Sequence, residues 1–353
     1  MTGLKRWHYL AAGLVLACGC LFAIGFAAPS LYRLLAGSAA ATPDYGATIE
    51  ALVAAATPST PSPTKPIPAS TATPGPDSSQ PNGRIVFTCQ LFRYQSSEQI
   101  CIMNADGSGY RRLTADDGLR HYYPSLSPDG LSVVYSQYRE ANVYEIYELT
   151  LGDGVSVRLT DRLGALTAPE VSPDGRSIVF MRWTPATDQD QVWLMDRDGS
   201  HPRRLVSVTG WDPTWSPDGS RILFASDMNG SNQLYVVDVD GKGLHRISDL
   251  PAIRGRSDWS PQGLIATYSG EAWKREIYVM GADGSSAHQV SPPGGNSQGP
   301  SFSPDGARIA FTAYFDRFND ENGCEIYVVR TDGSDLRRLT NNDYCDYQPR
   351  WGP

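Results

Sequence analysis

Histidine is scarce in this chain: 353 residues hold five, His8, His121, His201, His245 and His288, scattered without a cluster. A metal-dependent lyase or hydrolase built on grouped imidazoles therefore has little support. Outside the N-terminal region the cysteines lack the closely spaced Cys-x-x-Cys pairs typical of structural zinc. Asp-Gly turns at 196–199 and 238–241 lack the remainder of a calcium loop and its terminal Glu, so they read as capped turns. Basic stripes are missing too. Thirty Lys and Arg against 38 Asp and Glu give a net charge of -8, which argues against a nucleic-acid partner. No run after residue 83 suits a long helix, and nothing reads as the nucleophile elbow of a hydrolase. No catalytic residue, metal or cofactor is assigned.

The first eighty residues are of a different material from the rest. Residues 1–8 carry Lys5 and Arg6, and residues 9–28 form an uncharged apolar run. Twenty helical residues rise about 30 Å, the thickness of a bilayer core. The run reads as a transmembrane signal anchor with the basic end inside and all later residues outside. Two alternatives stay open: a cleaved secretory signal, and lipidation at Cys18, where Val15-Leu16-Ala17-Cys18 loosely resembles a lipoprotein box. Residues 29–82 are rich in Ala, Thr, Pro and Ser and have little to bury, so they read as a disordered extracytoplasmic linker.

From residue 83 to 353 the chain repeats itself. Ser-Pro-Asp-Gly stands at 127–130, 172–175, 216–219 and 303–306, with Ser-Pro-Gln-Gly at 260–263; the first serines are 45, 44, 44 and 43 residues apart. Each copy continues with two short strand-like runs, an Asp-Gly turn, a short outer piece such as 203–206 or 337–340, and a last strand leading into the next turn. Proline presets φ, Asp bonds the backbone ahead of it, and Gly accepts the positive φ that closes the reversal. Four short strands in about 44 residues match a β-propeller blade.

The chain ends set the expected count. Three strands precede the first turn, and one, at 347–351, is left over at the end. The apolar residues before the successive turns are Leu126, Val171, Trp215, Trp259, Phe302 and finally Trp351, with prolines two positions earlier except at Ser257. These six residues are expected to pack the inner strands and close the ring. The expected fold is all-β: a six-bladed propeller of four-stranded antiparallel blades, closed by the C-terminal strand joining the N-terminal three, preceded by one hydrophobic helix and a disordered linker.

Four cysteines fall in this region, Cys89, Cys101, Cys324 and Cys345, all at one end of the strands. Four cysteines allow three pairings. Their placement favours Cys89 with Cys101 and Cys324 with Cys345 at the seam of the ring, with free thiols or a zinc site as alternatives.

Residues 213–219, 309–311, 277–280 and 332–340 together resemble the repeat of the TolB-type, WD-like propeller family, and the resemblance extends over 84–353. It implies the propeller fold. In that family such propellers occur as periplasmic interaction modules and attached to hydrolase domains, so it leaves the function open.

Candidate binding residues lie in the loops that share an end with the cysteines: Tyr94, His121, Tyr122, Tyr123, Trp183, Trp211, Trp273, Tyr314, Phe315 and Tyr344. Aromatic and Arg side chains beside acids suit a protein or glycan contact surface, although such rings also serve to pack loops. The expected role is a membrane-anchored extracytoplasmic scaffold that binds an envelope protein or peptide without covalent chemistry. The alternative is a carbohydrate-active enzyme or glycan sensor with its site in the central channel, using His121 and nearby acids.

Overall fold

The computed structural model describes residues 81–92, 97–115, 118–253, 255–315 and 323–353. The apolar run at 9–28, Cys18, the linker up to residue 80, and Tyr94 lie outside these. Among the described residues there is no α-helix, and none long and apolar enough to cross a membrane.

Among the described residues twenty-four strands form five sheets in a propeller arrangement. Four sheets are separate four-stranded antiparallel blades. The fifth has eight strands, because a single parallel bridge from Tyr144 to Ala165 fuses two four-stranded units. The innermost strands are His121–Leu126, Ala165–Val171, Trp211–Trp215, Asp258–Trp259, Gln298–Phe302 and Asp346–Gly352, each touching the next and the last touching the first. Apolar clusters fill the spaces between neighbouring sheets.

The repeated letters have local causes. In the Ser-Pro-Asp-Gly turns the Ser hydroxyl donates to the Asp carboxylate, as from Ser216 to Asp218 at 2.6 Å, and accepts the amide of the following strand, here Arg221 N at 2.9 Å. The Asp218 carboxyl is held low, to about 2, by the Ser216 hydroxyl and by the amide and hydroxyl of Ser220. A second signature ties the outer piece to the third strand. Thr160 donates to Glu145, Thr340 to Glu325 and Ser248 to Gln233, each at 2.6 Å, and each hydroxyl accepts an amide of that strand. The outermost strands are only two or three residues long, which leaves little edge on which another chain could pair.

The last strand pairs antiparallel with Arg84–Gln90, setting Trp351 opposite Ile85 and Asp346 opposite Cys89. The disulfides sit in this sector: Cys89 is joined to Cys101 across adjacent strands, and Cys324 to Cys345 at the start of the closing strand. Between them Asp346 is fully buried, with Oδ1 unpartnered; Oδ2 accepts from Asn342 Nδ2 at 2.8 Å. Burial, with the Glu325 carboxylate nearby, pushes its carboxyl up to about 8.

A carboxyl raised in the folded state binds a proton that the unfolded chain releases near pH 4, so its contribution is complete below that pH and is lost as pH rises through 8. Urea midpoints are expected to fall from pH 6 to pH 9 in the native chain and to fall less in Asp346→Asn. Burial raises Glu98, Glu170, Asp212 and Glu276 in the same direction, so the substitution reduces the slope without abolishing it. Equal slopes in the two proteins would refute a titrating Asp346.

Candidate functional site

Every inner strand turns one residue out of the regular pleat. Tyr123, Ala168, Asp212, Arg256, Gly299 and Gln348 occupy equivalent positions and all have positive φ, between 22° and 58°. In five of the six strands the ladder shifts register around this point. Left-handed backbone costs a non-Gly residue about 1–2 kcal/mol, and bulges of this kind re-aim side chains. Here they tie neighbouring strands around the central channel, as where Gln348 Oε1 accepts from Tyr123 N at 3.0 Å. Tyr123, Asp212 and Gln348 retain accessible surface although they stand in the inner ring.

Two arginines cross that channel. Arg350, from the closing strand, reaches Glu170 Oε2 at 3.3 Å and Asp258 Oδ1 at 3.1 Å, and donates to Ser257 O at 3.2 Å. Its two acids come from alternate strands of the ring. They also hold neighbours together: Glu170 accepts from Thr214 Oγ1 (2.9 Å) and Trp215 N (3.1 Å), and Asp258 from Ser301 Oγ (2.9 Å) and Phe302 N (2.7 Å). Burial raises the Glu170 carboxyl against the pull of Arg350.

The second crossing is made by Arg256, whose Nη2 donates to Pro124 O at 3.2 Å on the opposite side of the ring. Its guanidinium lies 5.3 Å from the Tyr123 ring centre, and its own amide donates to Asp212 Oδ2 at 3.0 Å. The Arg350 crossbar floors a funnel that opens at the turn end.

The funnel is a cavity of about 330 Å³ with Glu170, Asp258 and Arg350 in its floor. Its walls are Leu126, Val171, Trp215, Trp259, Phe302 and Trp351, the residues expected to pack the inner strands. All six are buried. The described chain begins at this mouth, where Trp351 Nε1 donates to Asn82 O at 2.8 Å.

At the cysteine end the structure separates the candidate residues. Trp273 and Tyr314 meet edge to face at 5.1 Å. The Arg120 guanidinium lies 4.4 Å from the Tyr138 ring and 6.0 Å from Tyr122, whose hydroxyl donates to Glu98 at 3.1 Å. Trp183, Trp211 and Tyr344 are half-buried, and Tyr344 lines a seam groove with Tyr110.

His121 and Phe315 lie below the surface. His121 is 2% exposed, its Nε2 3.2 Å from Gln137 Oε1 and its ring against Tyr135. Phe315 is 6% exposed and packs edge-on against Tyr327 at 5.2 Å. His121 is turned into its blade by strand alternation, and Phe315, just past the strand that ends at Ala313, packs down onto that blade.

One match escaped the reading of the sequence. Residues 295–299, Gly-Asn-Ser-Gln-Gly, have the spacing of a nucleophile elbow, but Ser297 is fully buried where a loop enters a strand, and no helix follows. Among the described residues no three His, Cys, Asp or Glu are grouped to hold a metal. Arg256, Arg350, Glu170, Asp212 and Asp258 were also missed. The available signal was the residue on either side of each inner-strand proline, where the copies differ in charge.

Comparison with known proteins gives a consistent picture. The family described as TolB beta propeller domain matches residues 78–353. An uncharacterized protein of Agrobacterium fabrum is 34% identical over 179 residues, 46% of this chain and 59% of its own length. The Tol-Pal system protein TolB of Francisella tularensis is 24% identical over 271 residues, 74% of this chain and 61% of its own. The chain thus spans about three fifths of each of these relatives. The crystal structure of TolB from Acinetobacter baumannii superposes with a TM-score of 0.67 at 22% identity, covering 77% of this chain and 67% of that one, a likeness of fold.

Proposed function

The chain belongs to the TolB beta propeller domain family, and on that premise we propose that it is a membrane-anchored extracytoplasmic scaffold that binds an envelope protein or peptide at the cysteine end of its channel. The observation that carries this reading is the group of half-buried aromatic rings at the cysteine end, which includes the Trp273–Tyr314 pair. Half-exposed amphipathic rings are the composition of a protein contact surface. The eight-stranded sheet counts as two blades joined at the Tyr144–Ala165 bridge, which makes six. Two disulfides suit an oxidising compartment outside the cytoplasm, and the apolar run at 9–28 supplies the anchor. A relative's place in a Tol-Pal system supports an envelope partner of protein nature.

Replacing Trp183, Trp273 and Tyr314 together by Ala is expected to abolish capture of the partner from a membrane extract while leaving the melting curve nearly unchanged. Undiminished capture would sink the rim assignment. The second reading, glycan binding or hydrolysis in the channel, is favoured by one observation, the convergence of Glu170 and Asp258 on the funnel floor. Both carboxylates are engaged by Arg350 and by strand amides, which favours a structural duty. Release of reducing sugar by the purified chain would reverse that preference.

A further inference from the structure

The funnel at the turn end combines room, an aromatic wall and an acidic floor. Its cavity of about 330 Å³ falls within the range of ligand clefts, roughly 300–1,000 Å³. Trp215, Trp259, Phe302 and Trp351 stand in its wall, and the prolines of the turns circle its mouth from Pro128 round to Pro353. The floor is accessible: the Glu170 and Asp258 side chains keep 17% and 16% of their surface. Two carboxylates share one guanidinium there, so the floor is complementary to one further cation. Burial disfavours the ionised form of Glu170, and an approaching cation offsets that.

The chain itself enters at the rim of this funnel. Trp351 Nε1 donates to Asn82 O at 2.8 Å, and a methyl group built on Gly83 would stand 3.2 Å from Pro304 Cγ. The sequence that leads up to this point is uniform but for one place. Residues 54–83 are small, polar or proline, with a single cation, Lys65, and a single branched aliphatic residue, Ile67, set together as Lys65-Pro66-Ile67-Pro68. Pro68 precedes Asn82 by 14 positions, a length whose flexible span is roughly 20 Å. The motif therefore reaches back to the mouth without strain and samples it at an effective concentration on the order of millimolar.

We propose that the Lys65–Pro68 segment of this chain's own linker docks in the turn-end funnel, with Pro66, Ile67 and Pro68 against the aromatic wall and the Lys65 ammonium toward Glu170 and Asp258. Proline-rich segments suit aromatic-lined clefts because their extended conformation has little ordering entropy left to lose. One ammonium above an acid pair adds complementary charge. Docking closes the turn end of the channel and shortens the tether to the residues before Lys65. It stands or falls independently of the rim assignment.

Photo-crosslinking of the detergent-solubilised full chain tests it. With benzoylphenylalanine in place of Ala69, irradiation and peptide mapping are expected to join the linker to peptides that carry Trp215, Trp259 or Trp351. The same label in place of Gln80, beside the mouth, is the positive control. Lys65→Glu together with Ile67→Ser is expected to lower the yield from position 69 at least about tenfold, through loss of one ionic contact and one buried aliphatic side chain. Both substitutions lie outside the blades, and a retained urea transition shows that the propeller is intact.

An equal yield from the substituted linker overturns the proposal. So do products confined to cysteine-end peptides such as the one that carries Trp273, or a silent position 69 beside a reactive position 80. An equal mixture of isotopically light and heavy chains identifies whose linker docks. Products within one chain are expected, and products that join light to heavy chain would give the funnel to a second copy and overturn self-docking.

Discussion

Deletion of residues 346–353 is expected to abolish cooperative unfolding, leaving a chain that shows no sigmoidal transition in urea. The segment supplies more than one strand. It pairs along Arg84–Gln90, contacts the inner strands on both sides, and carries Gln348, Arg350 and Trp351. Without it the Arg84–Gln90 strand becomes an open edge that carries Val86 and Phe87, both fully buried in the intact protein. Glu170 and Asp258 lose their shared cation. The combined loss exceeds the roughly 5–15 kcal/mol by which domains are stable. Circular dichroism with urea titration measures it. A native-like transition in the shortened chain would mean that the ring does not depend on closure by this strand.

The second large effect concerns Arg350 alone. Arg350→Met keeps the apolar length of the side chain but leaves two enclosed carboxylates facing each other, and breaking a buried pair in this way typically costs about 3–5 kcal/mol. The urea midpoint at pH 7 is expected to fall accordingly. Adding Glu170→Gln to the same protein is expected to return part of the loss, because one uncompensated charge then remains in place of two, while the amide can still accept from Trp215 N through its oxygen. If Arg350→Met changes the unfolding free energy by less than about 1 kcal/mol, the crossbar is incidental to stability, and the funnel floor must be neutralised in some other way.

What the sequence made legible was whatever it encodes locally. The turn from Ser216 to Gly219 is written in four consecutive letters because its hydrogen bonds run between Ser216, Asp218 and Arg221. The Thr or Ser that ends most outer pieces is readable for the same reason: Thr340 and Glu325 are fifteen residues apart in one hairpin. The channel contacts lie at the other extreme. Arg256 meets Pro124 across 132 residues, and nothing near either residue announces the other.

The rim failed for a different reason. An aromatic letter in a loop is the same whether its ring packs inward, as Phe315 does, or stands half-open, as Trp273 does. Strand alternation decides, and loop ends obscure it. The charged sites were nonetheless marked. In the phrase Pro-x-Trp the middle residue is Thr214 in one copy and Arg350 in another, with Glu170 and Asp258 at the same place elsewhere. A residue that varies inside an otherwise constant phrase points into the channel.

The claim that most needs testing is that the cysteine end, and not the turn end, meets the partner. Capture from a membrane extract should be compared between two variants of the full chain: Trp183, Trp273 and Tyr314 replaced by Ala at the cysteine end, and Leu131 and Val155, 66% and 52% exposed at the turn end, replaced by Ser. Loss of the captured protein with the first variant and its retention with the second is the expected result. Retention with the first and loss with the second would place the contact on the opposite face and contradict the proposed function.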